Sequence, residues 1–150
     1  MIFIGSDHAG FEMKEAIKWH LENTETPFED LGAHQFEVED DYPDIAKVVC
    51  ERIQKEGGKG ILVCGTGQGM TIAANKFRGI RASLCWNEAT VKVAAEHNDA
   101  NVIALPGRII SKEEGVKLVK LWLKTSFSKE ERHNRRITKI KEFEKGKVHL

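Results

Sequence analysis

Ile61-Leu62-Val63-Cys64-Gly65-Thr66-Gly67-Gln68-Gly69-Met70 is the stretch that decides how this chain folds. Four consecutive apolar residues without polar alternation describe a strand buried on both faces, as in a parallel sheet. Three glycines in five residues then allow a tight turn, and Thr71 to Phe77 carries a short helical pattern. The same succession recurs along the chain. Further strands are expected at Ile2 to Gly5, Pro27 to Leu31, Ile80 to Cys85 and Asn101 to Leu105, with the best candidate running Gly60 to Cys64. Helices are expected over Phe11 to Glu22, where Met13, Ile17 and Leu21 share a face, over Asp44 to Lys55, and over Glu88 to His97, for which Asn87 is a good N-cap. Ser111-Lys112-Glu113-Glu114 and Ser128-Lys129-Glu130-Glu131 have the capping-box pattern, so helices are expected to start there and to reach Lys124 and about Glu144, followed by a short tail. Strand and helix alternating about five times predict an α/β fold, a three-layer doubly wound sheet of about five parallel strands with an extra C-terminal helix.

At 150 residues the chain is expected to form a single domain over 1–150, and 41% hydrophobic residues with three prolines suffice for a packed core. Lysine plus arginine and aspartate plus glutamate each number 23. This neutrality excludes a basic nucleic-acid coat or an acidic chaperone. The charge is nevertheless polarised: acids dominate residues 1–44 and bases dominate residues 112–150. The C-terminal part is therefore expected to meet something anionic. Met1 to Asp7 has no basic region and reaches an acid at position 7, so no secretory signal is expected, and no apolar run approaches the roughly 20 residues that span a bilayer. A soluble, cytoplasmic protein is expected. Cys50, Cys64 and Cys85 form no C-x-x-C pair and read as reduced thiols, and the six histidines show no paired ligand spacing, so no metal is expected.

In a doubly wound sheet the ligand binds beyond the carboxyl ends of the strands. There, Gly65, Thr66, Gly67, Gln68 and Gly69 would point backbone N–H groups into one concavity at a helix N-terminus, an anion nest. It is neither a dinucleotide fingerprint, since Met70 stands where glycine would be required, nor a Walker loop. The bland reading is a tight turn without a ligand. Cys64 at the mouth of the nest is expected to have a lowered thiol pKa and to serve as nucleophile or base, although a cysteine ending a strand also packs as a small hydrophobe. Cys50 and Cys85 are assigned to packing. Gly5-Ser6-Asp7-His8-Ala9-Gly10 brings an acid and an imidazole to the same edge, suited to hydroxyls, phosphate or a proton shuttle; a helix cap with an exposed His is the alternative. His97-Asn98-Asp99 places polar groups before a buried strand, which is costly unless they are used. Arg108 follows the fifth strand. Arg132 and Arg136, one helical turn apart, can reach one phosphate from one face.

At these residues the chain resembles the ribose-5-phosphate isomerase B family, which also includes galactose-6-phosphate and allose-6-phosphate isomerases. The resemblance runs from Gly5-Ser6-Asp7-His8-Ala9-Gly10 through Asp41-Tyr42-Pro43-Asp44, Cys64-Gly65-Thr66-Gly67-Gln68-Gly69, Ala73-Ala74-Asn75-Lys76 and Gly79-Ile80-Arg81-Ala82 to His97-Asn98-Asp99-Ala100-Asn101-Val102 and the Arg132/Arg136 helix. It implies a Rossmann-like sheet, a metal-free aldose–ketose isomerisation in carbohydrate metabolism without a cofactor, and a homodimer or dimer of dimers with sites at the subunit interface. By position, Cys64 matches the base that transfers the proton, and His97 the ring-opening residue, with Asp7 or Thr66 assisting. Asp7, His8, Tyr42, Gly65 to Gly69 and Asn98 match sugar-binding positions, while His8, Arg108, Arg132 and Arg136 match or suit phosphate binding. A subgroup with serine for the cysteine uses a nearby glutamate instead; Gly69 and Met70 show that this chain lacks it.

Three other functions compete with an isomerase of ribose 5-phosphate. A 6-phosphohexose isomerase would differ in pocket size around Tyr42 and Met70. A non-catalytic phosphosugar sensor would use the same fold without Cys64 chemistry. A nucleic-acid accessory protein would use the basic C-terminal helix, but no aromatic side chain interleaves its arginines, so neither nucleic acid nor membrane is expected as a partner.

Overall fold

The structure is a computed structural model and describes residues 1–146. In chain order the elements are β1 (Ile2–Ser6), a single 3₁₀ turn (His8–Gly10), α1 (Phe11–Asn23), β2 (Phe28–Asp30), α2 (Tyr42–Glu56), β3 (Lys59–Cys64), α3 (Gln68–Ala74), β4 (Ala82–Leu84), α4 (Glu88–Glu96), β5 (Val102–Pro106), α5 (Lys112–Lys124) and α6 (Glu131–Phe143). Of the short tail expected after α6, residues 147–150 lie outside the described residues.

The five strands form one sheet in the order β2-β1-β3-β5-β4, every pairing parallel. Continuous apolar sequence put β3 at the centre, because a strand flanked by two others and covered on both faces has no solvated side. One face carries α1, α4 and α5, whose Ile17, Leu21, Val91, Leu118 and Trp122 pack on Ile4, Ile61, Val63 and Ile103. The opposite face carries α2 and α3, with Val49, Cys50, Ile53, Met70 and Ala74 against Phe3, Leu62 and Ala104. Side chains of successive strand residues point to opposite faces, which is why Ile61 and Val63 serve one core and Leu62 and Cys64 the other.

Where the boundaries differ from expectation, local chemistry explains it. Tyr42 and Pro43 open α2, since proline tolerates the first turn, where its missing N–H is not needed. The third helix starts at Gln68 because Gly67, at φ 78°, makes the left-handed turn that lets the chain leave β3. Asn87 caps α4 as expected, accepting from the Thr90 N–H, and Ser111 caps α5 by accepting from the Glu114 N–H. Ser128 does not cap α6. Its hydroxyl accepts from the Glu130 N–H and pairs with the His133 ring, Lys129 takes a left-handed conformation, and the helix begins at Glu131.

The last helix stands apart from the two cores. Only His133 and Ile137 of α6 are buried. It is tied to the end of α4, through Ser128 N–H to Glu96 O, and to the α3–β4 turn, through Arg78 Nη2 to Glu144 O.

Candidate active site

Two clusters of candidate residues form, at opposite edges of the sheet. At the carboxyl edge β3 ends in Cys64, which is 5% exposed. The N–H groups of Thr66, Gly67 and Met70 point at its sulfur and favour the thiolate, yet burial outweighs them, with the nearby Asp7 carboxylate adding to it, so the thiol pKa is raised from 9.0. The expected lowering is thus reversed. A dry strand end costs a thiolate more than three N–H dipoles return. Cys50 and Cys85, deeper still, are pushed up to about 12 by burial, consistent with packing roles.

The turn after β1 lies beside this thiol. Asp7 caps the 3₁₀ turn, accepting from the Gly10 N–H, while its own N–H donates to Val63 O. Burial is the largest influence on its carboxyl and raises its pKa. His8 points outward, its Nε2 3.5 Å from Arg108 Nη2. The Arg108 N–H donates to Gly65 O, and its side chain runs along Gly65, so the guanidinium leans over the glycine turn. Thr66 Oγ1 accepts from the Gln68 N–H. Tyr42, from the first turn of α2, lays its ring over Gly69. Met70 turns into the core and is 0% exposed, so it does not line this edge as the pocket-size reading supposed.

The candidates read from the sequence do not include Asp40, which lies in the acidic segment just before α2. Its Oδ1 accepts from both His8 N–H and His8 Nδ1, at 3.1 and 2.8 Å. Asp7, His8 and Asp40 bring potential metal-ligand atoms within 4.8 Å of one another, but the Nδ1 of His8 is already engaged by Asp40. Nothing in the sequence near Asp40 marks it, because its partner is 32 positions away.

His97, Asn98, Arg132 and Arg136 are not at this edge. In a parallel sheet each helix runs back from the carboxyl edge to the amino edge, and His97 is the residue that ends α4. Asn101, just before β5, accepts from the Gly60 N–H at 2.8 Å. That is four residues before Cys64, about 13 Å along the strand. His97-Asn98-Asp99 closes α4 and precedes a strand, as expected, and so lies away from the carboxyl edge. α6 joins His97 instead. The rings of His97 and His133 stack at 4.2 Å. His133 accepts from Arg132 Nε at Nε2 and so carries its hydrogen on Nδ1, toward Ser128 Oγ at 2.7 Å. Burial, reinforced by His97 and Arg132, lowers the His133 pKa. Arg132 and Arg136 remain exposed beside it.

The chain therefore carries two separate groups of candidate residues. The carboxyl edge has a thiol, backbone donors and Asp7; the amino edge has an imidazole and two arginines. Exposed apolar residues border the first group, among them Ile72, Trp86 and Ile109 at 64, 48 and 66% exposure. Thr66, Gln68, Leu84, Trp86, Pro106 and Ile109 line a cleft there of about 360 Å³. Among the described residues no helix is long and apolar enough to cross a membrane.

A family model described as ribose/galactose isomerase matches residues 2–140. The chain is 43% identical over 146 residues to a probable ribose-5-phosphate isomerase B of Mycoplasma genitalium, covering 96% of this chain and 95% of that protein. It is 38% identical over 145 residues to the ribose-5-phosphate isomerase B of Mycobacterium tuberculosis, covering 96% and 90%. Among solved structures, a ribose 5-phosphate isomerase from Thermotoga maritima is similar at a TM-score of 0.89 and 48% identity, over 94% of this chain and 97% of that one. The Mycoplasma genitalium ribose-5-phosphate isomerase B with bound ribulose-5-phosphate is similar at 0.92 and 42% identity, over 96% and 95%.

Proposed function

Because the chain belongs to the ribose/galactose isomerase family, we propose that it interconverts ribose 5-phosphate and ribulose 5-phosphate through a cis-enediolate, at a site shared between two copies of the chain. The observation that carries this reading is the likeness, over nearly the whole chain, to a structure holding ribulose-5-phosphate. The phosphorylated sugar binds as a furanose at the carboxyl edge. His97 of a second copy, with Asp7 or Thr66 of the first, moves a proton between the ring oxygen and the anomeric hydroxyl and opens the ring. Cys64 thiolate removes the C2 proton and returns it to C1, while the hydroxyl proton on O2 passes to O1, which leaves the carbonyl at C2.

The raised thiol pKa suits this task. A proton on carbon beside a carbonyl is weakly acidic, and a more basic thiolate accepts it with more driving force, at the expense of a smaller ionised fraction at neutral pH. Backbone N–H groups of the Gly65–Gly69 turn stabilise the enediolate oxygen. Tyr42 and Gln68 of the first copy and Asn98 of the second contact the sugar hydroxyls. The phosphate is gripped by His8 and Arg108 from one copy and by Arg132 and Arg136 from the other, and this remote binding positions the reacting carbons. Neither a metal nor a cofactor is required, since the substrate's own electrons are rearranged. The opposite placement of the two groups supports the homodimer, because a two-fold axis brings each thiol edge against the other copy's His97 and α6. Tyr42 closing over Gly69 favours a pentose over a 6-phosphohexose.

The test is direct. Purified protein with ribose 5-phosphate and EDTA is expected to form ribulose 5-phosphate, with slower turnover of allose or galactose 6-phosphate. Preferred turnover of a hexose phosphate would move the assignment to that substrate. Binding without turnover of any of them, unchanged in Cys64→Ala, would identify a sensor instead.

A further inference from the structure

We propose that Asp40 is a positioning residue for phosphate recognition: it fixes the ring of His8 so that Nε2, and not Nδ1, meets the phosphate of the substrate. This rests on the reading of His8 and Arg108 as phosphate ligands. A carboxylate only accepts hydrogen bonds, so the 2.8 Å contact to Asp40 Oδ1 requires the hydrogen on His8 Nδ1. The same oxygen accepts the His8 backbone N–H at 3.1 Å, which leaves the ring little freedom to turn. Phe36, four residues before Asp40, meets the imidazole edge-on at a centroid distance of 6.0 Å and restrains it from the same loop. The Asp40 side chain is 12% exposed, and its Oδ2 is buried with no hydrogen-bond partner. Such burial of a carboxylate is costly unless the charge is used.

The outward Nε2 lies 3.5 Å from Arg108 Nη2. When a phosphate arrives, Arg108 turns its donors to the anion and Nε2 gains a hydrogen, taken from solvent or from the phosphate monoanion. The ring then donates through both nitrogens, to Asp40 on one side and to a phosphate oxygen on the other. Asp40 supplies the negative charge that balances the ring in that state, an arrangement in which an acid orients an imidazole through Nδ1. The segment around residues 34–41 thereby becomes part of substrate binding although it touches no substrate atom.

Asp40→Asn and Asp40→Ala test this. The KM for ribose 5-phosphate and the Kd for inorganic phosphate are each expected to rise roughly tenfold, with kcat altered much less, as loss of one charge-assisted hydrogen bond implies. In ¹⁵N spectra of the His8 ring, the wild type is expected to carry hydrogen on Nδ1, and the variants a mixture of the two tautomers. Asp40→Glu, which keeps the carboxylate, is expected to recover part of the lost affinity. Unchanged phosphate affinity in the two charge-removing variants, an unchanged ring tautomer, or loss confined to kcat would overturn the proposal. The phosphate titration and the spectra need no turnover, so they decide the role of Asp40 even if ribose 5-phosphate is not the substrate.

Discussion

Cys64 and His97 stand at opposite edges of one parallel sheet, the first at the end of β3 and the second at the end of a helix that runs back along it. If the reaction needs both, no single copy of the chain can perform it. Cys64→Ala and His97→Ala are each expected to be nearly inactive. Mixed, unfolded and refolded together, they are expected to regain about a quarter of wild-type activity, because half the dimers formed at random are hybrids and each hybrid has one intact site. A mixture as inactive as its components would refute the shared site.

The thiol's environment predicts a pH dependence. Burial raises the Cys64 pKa, so the thiolate fraction of the free protein grows as pH rises through neutrality toward the alkaline range. The kcat/KM of the wild type is expected to increase over that range. Iodoacetamide labelling, followed by mass spectrometry, is expected to modify Cys64 before Cys50 and Cys85, whose thiols are pushed up to about 12. A rate flat with pH, or labelling of the other two cysteines first, would remove Cys64 thiolate from the mechanism.

Two glycines separate pocket shape from stability. A methyl at Gly69 would lie 2.5 Å from Tyr42 Cε1 and Cζ, and the ring end of a side chain can move aside. Gly69→Ala is expected to raise KM while changing the unfolding free energy by less than about 1 kcal/mol. At Gly10 the same methyl would lie 2.4 Å from Val63 O, in the backbone of the central strand. Gly10→Ala is expected to cost about 1–3 kcal/mol in urea unfolding. Equal stability of the two variants would contradict this.

Behind the site, Lys14 is fully buried and joins Asp30 at 3.0 Å, with Lys18 on the other carboxylate oxygen at 2.8 Å. Burial would raise the Asp30 carboxyl, but bonds from Lys18, the Gly32 N–H and Lys14 outweigh it and hold the pKa below the usual 3.8. A carboxyl depressed on folding stabilises the native state above its unfolded pKa and loses that contribution as pH falls through the folded value. Asp30→Ala is expected to lose about 3 kcal/mol at pH 7, since it strands a buried ammonium. The gap from wild type should narrow below pH 3.8. A gap that widens in acid would show that the pair does not carry this stability.

Much of this molecule is written locally. The apolar run Ile61 to Cys64 with its glycines dictated a buried parallel strand and a tight turn into a helix, and the caps at Asn87 and Ser111 act within three residues of themselves. Such features depend on neighbours in sequence and were legible there, as were the candidate residues Asp7, Cys64 and Arg108 that the carboxyl edge gathers. Ser128 shows the limit. Its capping pattern was present, but a buried histidine five residues on took the hydroxyl. Tertiary structure alone decided three things: the pairing of Asp40 with His8, the burial that reverses the pKa shift of Cys64, and the separation of His97 and α6 from the thiol. Each depends on distances between segments remote in the chain, and on how much water their packing leaves, quantities that no local pattern of residue types encodes.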